Sequence, residues 1–195
     1  MGWSALENVT RMGVTFVVSI ILARLLSPEE YGLIGILTIF IAIFNAIVDS
    51  GFTNALIRKQ DATDTDYSTV FYTNLVLSVV LAAVLFFCAK PISVFFERPE
   101  LVSLTQVMSS VVIINSLSIV QRARTIKAID FKTQTKITFI SSLGCGVIGI
   151  AMAYMGYGVW ALVGQQISNQ LLTTLFFWFY NKWVPKFVFS WASFK

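Results

Sequence analysis

The chain has 195 residues, 56% of them hydrophobic and 12% charged, with a mean hydropathy of +0.77, an apolar share above that of ordinary soluble domains. Fourteen Lys and Arg against ten Asp and Glu give a formal net charge of +4, but the basic residues are scattered over short connections and form no basic face, which excludes nucleic acid as a partner. There is no His, and the two cysteines, Cys88 and Cys145, both lie inside apolar runs, so no metal cluster or disulfide framework is legible and no cofactor is expected.

Six apolar runs, each long enough to cross a bilayer as a helix, follow in chain order. The first covers residues 3–26. It starts almost at Met1, contains Arg11 and is too long for the apolar core of a signal peptide, so it reads as a helix that is retained. Ser4, Glu7, Asn8, Arg11, Thr15 and Ser19 recur along it at spacings of three and four and share one face. Placing an Arg near the bilayer centre costs roughly 2.5 to 3.5 kcal/mol, and a Glu7–Arg11 pair one turn apart returns only about 0.3 to 0.5 kcal/mol. That face therefore belongs on a bundle interior or a wet cavity, unless Arg11 snorkels to the interface.

Ser27-Pro28-Glu29-Glu30 follows, with a capping serine, a proline at the first helical position and a glutamate three residues after the serine. The second span covers residues 31–53 and carries Thr38, Asn45 and Asp49 on one stripe. The third covers 67–89. Pro91 is expected to close it, Ile92 to Phe96 to form a short interfacial piece, and Pro99 with Glu100 to open the fourth span at 101–120. The fifth, 137–155, turns through Gly156-Tyr157-Gly158 into the sixth, 159–180, whose polar stripe is Gln166, Asn169, Gln170 and Thr173. Amides of this kind serve substrate contact or hydrogen bonding between packed membrane helices. The architecture expected is an all-α membrane protein, a six-helix transmembrane lobe over residues 1–181 followed by a cytoplasmic linker over 182–195.

Orientation follows from the basic residues. Ten of the fourteen fall on one side: Arg58, Lys59, Arg122, Arg124, Lys127, Lys132, Lys136, Lys182, Lys186 and Lys195. Arg24, Lys90 and Arg98 fall on the other. Both chain ends should then be cytoplasmic. Most of the basic loop residues read as topogenic charge, the remainder as contacts with anionic head groups or an incoming diphosphate. Gly144-Cys145-Gly146-Val147-Ile148-Gly149 matches the dinucleotide-binding pattern but lies mid-span, where small residues for close helix packing explain it. Asn8-Val9-Thr10 spells a glycosylation sequon on the predicted cytoplasmic end, where it has no use. Asp61, Asp64 and Asp66 form the one acidic cluster, next to a helix start, where capping explains them.

Several stretches together resemble the polysaccharide flippases of the MOP superfamily, the O-antigen and exopolysaccharide exporters called Wzx-like. The run Leu22-Ala23-Arg24-Leu25-Leu26-Ser27-Pro28-Glu29-Glu30-Tyr31-Gly32 resembles their junction of helices 1 and 2, and Asp49-Ser50-Gly51-Phe52 with Ala55-Leu56-Ile57 the end of their second helix. Arg122 and Arg124 with Asp130-Phe131-Lys132 resemble their fourth cytoplasmic connection, and Gly156-Tyr157-Gly158-Val159-Trp160-Ala161-Leu162-Val163 their turn into helix 6. The resemblance implies one lobe of a MOP- or MATE-like transporter of the bacterial cytoplasmic (inner) membrane. Such a transporter carries an undecaprenyl-diphosphate-linked glycan to the outer leaflet by alternating access, in the company of membrane lipids and polysaccharide assembly proteins. It implies a binding role for Arg11 and, less directly, Arg24, with Glu7, Asn45, Asp49, Gln166, Asn169 and Gln170 as further cavity candidates.

The family has twelve or more helices, so a second lobe or a second copy is expected to complete the cavity, and Pro185-Lys186-Phe187-Val188-Phe189-Ser190 resembles the linker towards it. A MATE-like cation or drug exporter is the nearest rival. Arg11 favours an anion, while Glu7 keeps the cation alternative open. A membrane enzyme acting on polyprenyl carriers needs a metal-binding acidic cluster or a catalytic His that the sequence does not offer, so no enzymatic activity is expected. An inactive truncated fragment is the remaining alternative. The orientation is testable: in intact cells a cysteine placed at position 128 should stay unlabelled by an impermeant maleimide until the cytoplasmic membrane is opened, and labelling from outside would reverse the topology.

Overall fold

Two helix starts in this chain follow local capping chemistry. The computed structural model describes residues 2–49, 56, 63–128, 131–181 and 183–185, with backbone alone for residues 2–11, 14 and 131. The described residues are all-helical in their regular structure: α1 Gly2–Leu25, α2 Pro28–Val48, α3 Asp64–Phe95, α4 Leu101–Lys127, α5 Phe131–Tyr154 and α6 Val159–Asn181. Ser27 caps α2 in the reciprocal manner expected. Its main-chain N–H donates to Glu30 Oε2 at 2.7 Å and its Oγ accepts from the Glu30 N–H at 3.3 Å. Thr63 and Asp66 repeat the device at α3, with the Thr63 N–H donating to Asp66 Oδ2 at 2.9 Å and Thr63 Oγ1 accepting from the Asp66 N–H at 3.3 Å. Two orphan amide groups are satisfied at each start.

Three helices exceed the spans drawn from apolarity. Pro91 does not close α3 but sits inside it. Pro removes a single donor, a loss that a helix four residues from its end tolerates. Ile92 to Phe96, expected as a separate interfacial piece, therefore continue the helix to its cap at Phe96, and Ser93 Oγ donates to the Arg98 carbonyl at 2.7 Å to close the turn. The fourth span, drawn to residue 120, runs on to Lys127. The fifth, drawn from 137, starts at Phe131. At α2 the order is reversed, since the helix ends at Val48 with Asp49 as its cap, short of residue 53.

In space the helices lie in the order α3, α4, α6, α5, α1, with α2 laid across α4 and α6. The core gathers Leu22, Leu37, Leu85, Leu101, Leu104, Met108 and Val112. A second cluster joins Tyr67, Phe71, Val120 and Ala123 to Trp183, beyond the end of α6. Large apolar side chains such as Val17, Ile39, Phe87, Val147 and Phe179 point outward, which in water is an unstable surface and in a bilayer an ordinary one. Four helices, α2 to α5, are long and apolar enough to span a membrane, and the apolar segment Thr15–Leu25 of α1 is shorter. Gln165, Gln166, Asn169 and Gln170 dilute α6. The chain is a multi-pass membrane protein.

The glycine-rich run lies in the middle of α5, as a packing surface. A Cβ at Gly146 meets Val18 of α1 at 2.7 Å, one at Gly144 meets Leu172 of α6 at 2.8 Å, and one at Gly149 meets Gln165 of α6 at 3.0 Å. At the turn into α6, Gly156 and Gly158 adopt φ of 79° and 56°, the left-handed region that glycine enters freely. Gly158 also abuts the Glu30 carboxylate of the α2 capping box, so two distant sequence motifs meet at one end of the bundle. Gly156 has open space around its α-carbon. Gly156→Ala should therefore carry only the backbone cost of about 1–2 kcal/mol, and Gly158→Ala should lose more, because its methyl collides with Glu30. Thermal unfolding in detergent measures both, and equal losses would count against the contact.

Candidate functional site

Four helices enclose a polar cavity of about 940 Å³. From α1 come Met12, Thr15, Phe16 and Ser19, from α4 Arg122 and Ile126, from α5 Gln134, Thr138 and Ser142, and from α6 Asn169, Gln170 and Thr173. Within each set the residues recur at spacings of one, three or four, so each set is one face of its helix. A recess of about 190 Å³ adjoins it, sharing Thr15, Ser142 and Asn169 and adding Gln165 and Gln166.

Behind the cavity wall, amide side chains tie α6 to α4 and α2. Gln170 Nε2 donates to Asn115 Oδ1 at 3.1 Å, and Asn115 Nδ2 donates to Asn45 Oδ1 at 3.0 Å. Gln166 Nε2 donates to Thr38 Oγ1 at 3.4 Å. Lower on α6, Thr174 Oγ1 donates to the Ile114 carbonyl at 3.2 Å and Trp178 Nε1 to the Leu117 carbonyl at 2.9 Å. Polar groups within membrane helices find partners on their neighbours because lipid supplies none.

Two arginines two residues apart on α4 have opposite fates. Arg124 is committed: its Nη1 donates to Asp64 Oδ1 at 3.3 Å, and its guanidinium lies 4.9 Å from the Tyr67 ring centroid and 5.2 Å from that of Trp183. Trp183 Nε1 donates to the same Asp64 oxygen at 3.2 Å, and Gln121 Nε2 to the Trp183 carbonyl at 3.0 Å. Together these fasten the chain beyond α6 to the ends of α3 and α4. Arg122, about 200° further round the helix, faces the cavity and is exposed. Among the described residues it makes no hydrogen bond or ion pair.

Comparison with known proteins identifies the family. The family model described as polysaccharide biosynthesis protein matches residues 21–195, nearly the whole chain. The chain belongs to the polysaccharide biosynthesis protein family. The resemblance to Wzx-like polysaccharide flippases read from its motifs is borne out. Within the family it is 29% identical over 190 residues to the succinoglycan biosynthesis transport protein ExoT of Rhizobium meliloti, covering 97% of this chain and 38% of that protein. It is 30% identical over 152 residues to the teichuronic acid biosynthesis protein TuaB of Bacillus subtilis, covering 76% and 31%. It is 24% identical over 195 residues to the lipopolysaccharide biosynthesis protein WzxC of Escherichia coli, covering 98% and 39%. The chain thus spans less than two fifths of the length of these relatives. No solved structure matches it significantly.

For a member of this family, the residues singled out from sequence fall in different places. Asn169 and Gln170 line the cavity and Gln166 the recess. Asn45 lies one layer back, reached through Asn115. Asp49 is the exposed cap of α2, its N–H donating to the Asn45 carbonyl at 2.9 Å, and Arg24 is exposed in the last turn of α1, and neither lines the cavity. The side chains of Glu7 and Arg11 lie outside the described residues, and on the α1 backbone Arg11 stands one turn before Thr15. Two acidic residues are accounted for by helix starts and ends: Asp66 caps α3 and Asp64 holds Arg124. Arg122, Asn115, Gln134, Thr138 and Ser142 were not among the candidates. The signal for Arg122 was its spacing from Asn115 and Ser118, one stripe once α4 is drawn to its full length.

Proposed function

We propose that this chain is one six-helix lobe, with a linker over residues 182–195, of a transporter that moves an undecaprenyl-diphosphate-linked glycan from the cytoplasmic to the outer leaflet of the bacterial inner membrane by alternating access. The observation that carries this reading is the Arg122 guanidinium, which makes no hydrogen bond or ion pair among the described residues, in a cavity whose other polar lining is hydroxyl and amide groups. A free guanidinium makes charge-assisted, paired hydrogen bonds to phosphate oxygens, and neutral amides and hydroxyls suit a sugar. The names of the relatives, which include a succinoglycan transport protein, agree with it.

Arg122 lies near the end of α4, on the side where the basic connections predict the cytoplasm, so the diphosphate enters there and the polyprenyl chain stays in lipid beside the bundle. On the α1 backbone Arg11 stands one turn before Thr15, towards that end. Among the described residues the one charged side chain of the lining is the cation Arg122, the sign that suits an anionic cargo, and hydroxyl, amide and guanidinium groups are suited to binding. A second lobe or a second copy closes the remaining side.

Export of the cognate polysaccharide in cells provides the test. Arg122→Ala should lower export by about ten-fold or more, with Arg122→Lys intermediate, because a charged phosphate contact is worth about 1.5–3 kcal/mol. Its thermal stability should stay near that of the parent, and Arg11→Ala should likewise lower export more than Arg11→Lys. Arg124→Ala should instead lower stability, by about 1–2 kcal/mol from its ion pair and ring contacts. Full export by Arg122→Ala would remove the observation on which the reading rests.

A further inference from the structure

The hydroxyl groups behind α6 determine which end of each cavity amide faces the substrate. Thr38 Oγ1 donates its single proton to the Ile34 carbonyl at 2.7 Å, so towards Gln166 it offers lone pairs only. Gln166 therefore turns its Nε2 to Thr38, at 3.4 Å. Ser118 works in the same way. Its Oγ donates to the Asn115 carbonyl at 2.8 Å and lies 3.5 Å from Gln170 Nε2, which also donates to Asn115 Oδ1 at 3.1 Å. Asn115 keeps that oxygen towards Gln170 because its own Nδ2 is held by Asn45 Oδ1 at 3.0 Å.

Both glutamines, one helical turn apart on α6, thus spend their NH2 groups on the protein. Among the described residues neither side-chain carbonyl oxygen accepts a hydrogen bond from the protein. Flipping either amide would bring its carbonyl against an oxygen with no proton to give, a cost of about 1–3 kcal/mol for each polar group left unmatched.

We propose that Thr38 and Asn115 are positioning residues that hold Gln166 and Gln170 with their carbonyl oxygens towards the cavity, making α6 a row of acceptors for the hydroxyl groups of a neutral sugar. The proposal rests on the lipid-linked glycan reading and adds its polarity: Arg122 donates to the phosphate, and α6 accepts from the sugar.

Binding to the native, full-length protein in nanodiscs tests it with two probes, undecaprenyl diphosphate alone and undecaprenyl diphosphate bearing one glucose. Thr38→Val and Asn115→Leu should each weaken binding of the glucose-bearing lipid about five- to ten-fold and leave the sugar-free lipid unchanged, which also reports an intact fold. Thr38→Ser keeps an acceptor behind Gln166 and should restore binding. Loss of both lipids in parallel, or wild-type binding of the glucose-bearing lipid by both variants, would overturn the positioning role. Wild-type protein that binds neither lipid would overturn the lipid-linked glycan reading, and this proposal with it.

Discussion

A polar side chain on a membrane helix has no water to turn to on its lipid side, and this constraint organises the whole bundle. Burying an unmatched amide or hydroxyl in an apolar medium costs several kcal/mol, so each of the many Ser, Thr, Asn and Gln residues here needs a partner on a neighbouring helix or a place on a wet surface. The α4 helix takes much of this load. It lies between α3 and α6, and Asn115, Ser116, Ser118, Gln121 and Thr125 all bond from it to side chains or backbone on other elements or on α4 itself. Beyond that matching lies the cavity, the faces of α1, α4, α5 and α6 whose polar groups have room in front of them, while Asn74, Thr105 and Ser141 stay buried with side-chain polar atoms that find no partner among the described residues.

The same constraint separates two arginines that look alike in the sequence. Arg124 is held by Asp64 and by the rings of Tyr67 and Trp183 and contributes to structure. Arg122 faces the cavity and makes no hydrogen bond or ion pair among the described residues. Trp183 is part of the Arg124 cluster, so the described residues beyond α6 lie beside the ends of α3 and α4.

Much of the fold was legible because helix starts are chemically explicit. Ser27 with Glu30, the Gly156 and Gly158 turn, and the length of the apolar runs gave six helices in the right order, and the family motifs named the right relatives. The cavity was less legible, for a physical reason. Spans were drawn where apolarity stops, at Val120 and at Ile137, yet α4 runs to Lys127 and α5 begins at Phe131. The polar ends cut off in this way hold Arg122, Ile126 and Gln134, which close the cavity. A helix that borders a wet cavity loses its hydropathy signal before it loses its helical hydrogen bonds. Asn169 and Gln170 were found because their stripe lies wholly inside a span, whereas Asn115 was missed because its stripe with Ser118 and Arg122 emerges only once α4 is drawn beyond residue 120.

The central claim is that lipid-linked glycan crosses the membrane through this cavity. Its most direct test is the amount and leaflet of undecaprenyl-diphosphate-linked oligosaccharide in cells lacking the protein, measured by mass spectrometry with and without access to the inner leaflet. The account predicts that the lipid-linked oligosaccharide accumulates in the inner leaflet while the exported polymer disappears. A lipid-linked pool of normal size, or one that accumulates in the outer leaflet, would contradict it and place the protein at another step of polysaccharide biosynthesis.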